Sequence, residues 1–198
     1  MTIIVAITGG IGSGKSTFSK EIKKRRLKLL DSDKEVSLIY KNPNKDFLNY
    51  LKKIGLGKST KNKTINKKYI SDIIFSNKQI KQKLEKHIFK IVRKKRFDFI
   101  KKEKKRKTNT IFLDIPLLFE NKLEKQFDII VSIISKKETR LKRIKNKKKL
   151  SRKKFNNIIN TQTSDIVRKK NSDILIYNNN TMKEYLIKIN KVLDKLIL

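Results

Sequence analysis

The chain contains no cysteine and a single histidine, His87. The first absence excludes a disulfide scaffold and a cysteine-ligated zinc site, and the second leaves no histidine cluster to hold a metal. His87 is therefore read as structural or incidental. Six glycines and two prolines in 198 residues exclude a collagen-like chain. No run approaches the ~20 apolar residues that a membrane span requires. The N-terminal MTIIVAITGG also lacks the basic n-region and long apolar h-region of a signal peptide. A soluble protein of the cytoplasm is expected, with room for one or one and a half domains around a core.

Acidic residues are scarce as well: 18 Asp and Glu stand against 53 Lys and Arg, a formal net charge of +35. Clustered cations gain affinity for nucleic acid by releasing counterions from phosphates. The composition points elsewhere, because 44 of the basic residues are Lys and only 9 are Arg, and Lys, Ile and Asn fill 91 of the 198 positions. Those three share A/T-rich codons, so nucleotide bias accounts for the charge. Selection for nucleic-acid recognition would favour Arg, which grips phosphate bidentately. No specific nucleic-acid partner and no membrane partner are expected, but surface self-repulsion and salt-sensitive contacts with polyanions are.

Periodicity then organises what is present. Ile3 to Ile7 reads as a strand that ends in a glycine-rich turn, and Ser16 to Arg26 reads as a helix with Phe18 and Ile22 four apart. Leu27 to Leu30 is a second strand closing on Asp31, Ser32 and Asp33. Residues 33–41 read as a helix stopped by Pro43, 44–66 as a loop, and 69–107 as a largely continuous helix. Ile111 to Ile115, Asp128 to Ile134 and Ile174 to Tyr177 have the length and β-branching of buried parallel strands. Between the last two lies a basic helical stretch, Ser135 to Asn171, and an amphipathic helix follows from Met182. Strands alternating with helices predict an α/β fold, a parallel sheet flanked by helices, with ligands at the carboxyl ends of the strands.

The segment Gly9 to Ser16, GGIGSGKS, fits GxxxxGK[ST] between a strand and a helix. Glycines let the backbone turn its N–H groups toward phosphate oxygens, Lys15 reaches the outer phosphates, and the Ser16 hydroxyl can ligate Mg²⁺. The pattern predicts a phosphate-binding loop without separating kinases from GTPases, ATPases or helicases. Asp31 and Asp33 follow the second strand. A carboxylate there can hold or deprotonate an acceptor hydroxyl, or Ser32 or Asp33 can simply cap a helix. Asp114 ends the run IFLD as a Walker-B carboxylate does, or caps a strand. In PLLFEN, Leu117 and Leu118 are expected to pack on the core, leaving Glu120 available to a ligand. Arg140 and Arg143, three apart in a chain poor in Arg, read either as a lid that brings charge to a transferring phosphoryl group or as two solvated cations.

Together, TGGIGSGKST at 8–17, DSD at 31–33, Pro43, LEKHIF at 84–89, PLLFEN at 116–121, RLKR at 140–143, Gln162 and SDILIYNN at 172–179 resemble the dephospho-CoA kinase family. The resemblance implies a P-loop kinase fold of a single domain. Its core is about 1–30, 108–135 and 172–198, with a helical CoA-side region at about 34–107 and a lid at about 136–160. It implies ATP-dependent phosphorylation of the ribose 3′-hydroxyl of dephospho-CoA, with ATP and dephospho-CoA as partners, Mg²⁺ as cofactor, and a monomer or weak homo-oligomer. Carried over by position, Gly12, Ser13, Gly14, Lys15, Ser16 and Thr17 bind ATP. Asp33 matches the carboxylate that orients or deprotonates the hydroxyl, and Arg143 the lid arginine; on the reading of the residues themselves Ser16 is expected to hold the metal, and Lys15 and Arg140 to join Asp33 and Arg143 in catalysis. Asp31, Asp33, Leu117 and Glu120 face the substrate, and Gln162, Arg168 and Asn178 match later family positions. The sequence departs from the family at Arg26 and Asn44, which replace glycines, at Phe89 and Lys90, which replace His-Pro, and at Arg140, which replaces Gln. A further basic lid position falls at Lys147. Asp114 stands where the family tolerates apolar residues. The rival readings are another nucleoside or nucleotide kinase of the same fold, and a nucleic-acid-stimulated ATPase.

Overall fold

The computed structural model describes residues 1–62, 64–148 and 151–197, and for 146–148 and 154 the backbone alone. The chain divides into two units, Met1–Asp31 with Ile100–Leu198, and Ser32–Phe99.

The first unit is built on a five-stranded sheet. Numbered in chain order, its strands are β1 (Ile3–Gly9), β2 (Lys28–Asp31), β5 (Thr110–Asp114), β6 (Ile129–Ile134) and β7 (Ile174–Tyr177), with β3 and β4 falling in the second unit. The order is β2-β5-β1-β6-β7, and every pairing is parallel. Central strands of such a sheet are covered on both faces, which is why they read as unbroken apolar runs. Val5, Ile7, Phe112, Val131 and Ile133 are fully buried. Helix α1 (Lys15–Lys24) adds Phe18 and Ile22 to this core, and α9 (Met182–Leu196) adds Tyr185, Ile189, Leu193 and Leu196. Among the described residues the basic stretch after β6 holds three helices, α6 (Lys137–Lys148), α7 (Arg152–Asn160) and α8 (Asp165–Lys170), the last capped by Ser164.

The second unit corrects two expectations. Residues 44–66 are not a loop: they hold α3 (Lys45–Lys53), a 3-10 turn at Gly57–Ser59 and a hairpin of β3 (Thr60–Lys61) with β4 (Thr64–Ile65). The Asn44 side chain caps α3 by accepting from the Phe47 N–H. Phe47 and Leu51 are buried four apart, and Gly55 at φ 87° ends the helix, with the Leu56 N–H donating to the Leu51 carbonyl. The long helix is likewise two, α4 (Lys67–Ser76) and α5 (Lys78–Lys105). Asn77 between them is extended, and its side chain accepts from the Ile80 N–H, so it caps α5 as α4 ends. Helix α2 (Ser32–Lys41) opens this unit directly after β2. Ile39, Phe47, Leu51, Leu56, Ile70, Leu84 and Val92 form its core.

Candidate functional site

The carboxyl end of β1 runs through Gly9 into a tight turn and on into α1, so the loop sits over the rim of the sheet between the ends of β5 and β6. The turn is closed by the Ser13 N–H donating to the Gly10 carbonyl at 3.0 Å. Gly14, at φ 109°, is the residue before α1, and among the described residues no side chain caps that helix. An uncapped N-terminus leaves N–H groups without intrahelical partners beside the positive end of the helix dipole, which is an anion site. Gly14 is required twice over: an L side chain is strained at that φ, and a Cβ there would collide with the Asn178 amide. At Gly10 a Cβ would run into the Arg140 guanidinium.

Lys15, Ser19 and Lys23 lie at steps of four on one face of α1, turned to the ends of β5 and β2. The Lys15 ammonium and the Ser19 hydroxyl both donate to the Asp114 carboxylate, and Lys23 pairs with Asp31 at 3.3 Å. Asp31 and Asp114 are register partners on adjacent parallel strands. Asp114 is buried, and its carboxylate oxygens are met by the Lys15 ammonium and the Ser19 hydroxyl. Ser16 is exposed at the first turn, Thr17 is half-buried, and Ser13 is buried with a hydroxyl that meets no partner among the described residues.

A metal site made by protein alone is not what this rim offers, since no group of three or more His, Cys, Asp or Glu gathers among the described residues. Mg²⁺ that accompanies a triphosphate keeps waters and phosphate oxygens as ligands and takes only one or two oxygens from protein. The Ser16 hydroxyl and the Asp114 carboxylate fit that donor set.

Arg140 and Arg143 both lie on α6, packed against the loop. Arg143 donates to the Ser13 carbonyl at 3.4 Å, the Ser135 hydroxyl at 3.1 Å and the Asn178 side-chain oxygen at 3.0 Å. Arg140 is buried against Gly10 and 3.5 Å from Asp165. Burial works against the charge on both guanidinium groups, and Asp165 works for it on Arg140. Gln162 accepts from the Ile11 N–H at 2.9 Å. Arg140, Gln162, Thr163, Asp165 and Arg168 line a cavity of about 270 Å³. The side chain of Lys147 lies outside the described residues.

In PLLFEN, Leu118 is buried as expected, whereas Leu117 is 43% exposed and does not join the core. The reason is the turn after Pro116, which directs only one of the two leucines inward. Glu120 accepts through Oε1 from the Thr163 N–H at 2.7 Å and from Arg168 at 3.2 Å, while its Oε2 is buried without a hydrogen-bond partner among the described residues. Asp33 is exposed in the first turn of α2, inside the helix, where a carboxylate is favoured by the dipole. The geometry thus brings Lys15, Asp114 and Asp31 to one rim and sets Arg140 and Arg143 beside the loop. Ser19 and Tyr185 carry polar contacts here that the spacing of apolar residues does not reveal. Ser19 is four residues after Lys15, which is the one signal that finds it.

A family model described as dephospho-CoA kinase matches residues 3–184. A dephospho-CoA kinase of Fusobacterium nucleatum is 33% identical over 190 residues, 96% of each chain. One from Prochlorococcus marinus is 32% identical over 195 residues, 96% of this chain and 94% of that one. Among solved structures, dephospho-CoA kinase from Campylobacter jejuni superposes with a TM-score of 0.73 at 27% identity, covering 98% of this chain and 97% of that one. Shikimate kinase from Acinetobacter baumannii, at 14% identity and a TM-score of 0.53 over 100% of this chain and 94% of that one, shares the fold.

Proposed function

The chain belongs to the dephospho-CoA kinase family, a family of phosphotransferases acting on an alcohol group in coenzyme A biosynthesis, and on that premise we propose how its residues divide the work. The γ-phosphoryl group of ATP passes to the ribose 3′-hydroxyl of dephospho-CoA, giving coenzyme A and ADP. The observation that carries this reading is the uncapped N-terminus of α1, with Lys15 held beside it by Asp114.

Gly12, Ser13, Gly14, Lys15, Ser16 and Thr17 receive the triphosphate. Lys15 exchanges the Asp114 carboxylate for phosphate oxygens, so its charge is already desolvated and aimed before nucleotide arrives. Ser16 and Asp114 are the residues that would hold Mg²⁺, whose chemistry there would be neutralisation of phosphate charge. Asp33 accepts the hydrogen of the 3′-hydroxyl and holds the oxygen in line, and Arg140 and Arg143 lend positive charge to the transferring group from α6, Arg143 across the loop that it grips from the carbonyl side. Asp31, Leu117 and Glu120 serve the substrate side. The region of about 34–107 takes dephospho-CoA, and about 136–160 acts as lid. Among the described residues no helix is long and apolar enough to cross a membrane, and we place the activity in the cytoplasm, in a monomer or weak homo-oligomer with no specific nucleic-acid partner.

Release of ADP from Mg·ATP tests the reading. It is expected to depend on dephospho-CoA and to be unmoved by adenosine, AMP, DNA or RNA. Release driven by a nucleoside would make the chain a kinase of another acceptor, and release driven by DNA or RNA would overturn the reading.

A further inference from the structure

Two side chains from the end of the chain meet the carbonyl side of the phosphate loop. Asn178, 3% exposed just past β7, donates through Nδ2 to the Ser13 carbonyl at 2.8 Å. The same amide is itself fixed: its oxygen accepts from Arg143 at 3.0 Å, its backbone N–H donates to the Ile134 carbonyl at 2.9 Å, and its carbonyl accepts from Ser135 at 2.6 Å. Tyr185, 1% exposed on α9, donates its hydroxyl to the Gly14 carbonyl at 3.1 Å. Burial pushes the Tyr185 phenol far above its ordinary range, against the opposing pull of Arg143, so the hydroxyl remains a donor.

The peptide bond is planar and trans, so its N–H points opposite to its carbonyl. A donor that holds the Ser13 carbonyl outward aims the Gly14 N–H the other way, and one that holds the Gly14 carbonyl does the same for the Lys15 N–H. We propose that Asn178 and Tyr185 are positioning residues for ATP, which lock these two peptide planes with their N–H groups turned into the cradle before the triphosphate binds. The inference rests on the phosphotransferase reading and adds residues that touch the loop without touching the nucleotide. Its physical content is preorganisation: the Ser13 carbonyl also accepts from Arg143 at 3.4 Å and the Gly14 carbonyl from the Thr17 and Phe18 N–H groups at 2.9 and 3.4 Å, so loss of an outer donor leaves each plane held less tightly, and binding must complete its ordering.

Tyr185→Phe removes one hydroxyl and keeps the ring that packs in the core. Calorimetric titration with Mg·ATP is expected to show affinity weakened about three- to tenfold, the size of one hydrogen bond. The KM for dephospho-CoA should stay within error of the wild type, while the thermal midpoint of the unliganded protein falls by no more than about 2–4 °C, which loss of one buried hydrogen bond accounts for. Asn178→Asp keeps the acceptor for Arg143 while replacing the donor by a carboxylate facing the Ser13 carbonyl, and it should weaken ATP by about tenfold or more. Equal ATP affinity in wild type and Tyr185→Phe overturns the inference alone, as does an equal loss for both substrates with a midpoint fallen further, which marks a merely structural role. A wild type that binds no Mg·ATP overturns the phosphotransferase reading together with it.

Discussion

A carboxylate that orients an acceptor hydroxyl contributes to turnover without contributing to nucleotide affinity. Asp33→Asn is therefore expected to lower kcat by about 10²- to 10⁴-fold while calorimetry finds ATP binding little changed; turnover equal to wild type removes Asp33 from its role. His87 offers a second test at this scale. Its ring stacks on Tyr50 with centroids 3.7 Å apart and lies 6.0 Å from Phe47. Burial, and then the nearby Lys90 charge, lower its pKa from the ordinary 6.5. A depressed folded value means that the unfolded chain binds the proton first. The contribution to stability is thus complete above about pH 6.5 and is lost as pH falls through the folded value. Because His87 is the only histidine, one proton NMR signal reports its titration, and a midpoint at or above 6.5 would contradict the packing described. The phosphate loop was legible in the sequence because its geometry demands particular residues at particular spacings. Tyr185 was not, because at helical spacing with Ile189 and Leu193 it reads as core, and only the approach of α9 to Gly14 reveals the use of its hydroxyl.

Elements reveal where spacing misleads. Helix α3 carried its boundary signals in plain view, Asn44 before it and Gly55 after it, but its apolar face is short, confined to FLNYL at 47–51 with lysines on either side. Asn77 hides a break in the opposite way, since the isoleucines on either side keep the same period through two helices. Parallel strands were easier to read, because burial on both faces leaves a continuous β-branched run. The end of α1 makes a prediction at this scale. Arg26 sits at φ 57°, where the Leu27 N–H donates back to the Ile22 carbonyl at 3.1 Å. That is the left-handed position of a helix C-terminus that glycine normally fills, and it accounts physically for the glycine expected there by family resemblance. Arg26→Gly should raise stability by about 0.5–1 kcal/mol, the relief of the left-handed strain less the greater freedom of glycine in the unfolded chain. A rise in the urea midpoint with unchanged slope would establish it, and a fall would show that the Arg26 side chain contributes more than its backbone costs.

For the molecule as a whole, the charge of +35 is the loudest feature of the sequence and the least informative about the reaction. Lysines spread over many helices raise the attraction of any polyanion and make it fall with salt. The carboxyl rim of one parallel sheet, by contrast, gathers a lysine, two aspartates and an uncapped helix end, and it was predictable in outline because β-α-β order returns the chain to that rim. What sequence alone did not disclose are the contacts that close on the loop from residues more than a hundred positions away, such as Gln162, Asn178 and Tyr185. The most direct measurement is the mass spectrum of dephospho-CoA after incubation with the protein and Mg·ATP. A kinase of this acceptor yields a product heavier by one phosphate and indistinguishable from coenzyme A on chromatography. Unchanged dephospho-CoA in the presence of a correctly folded, ATP-binding protein would contradict this assignment.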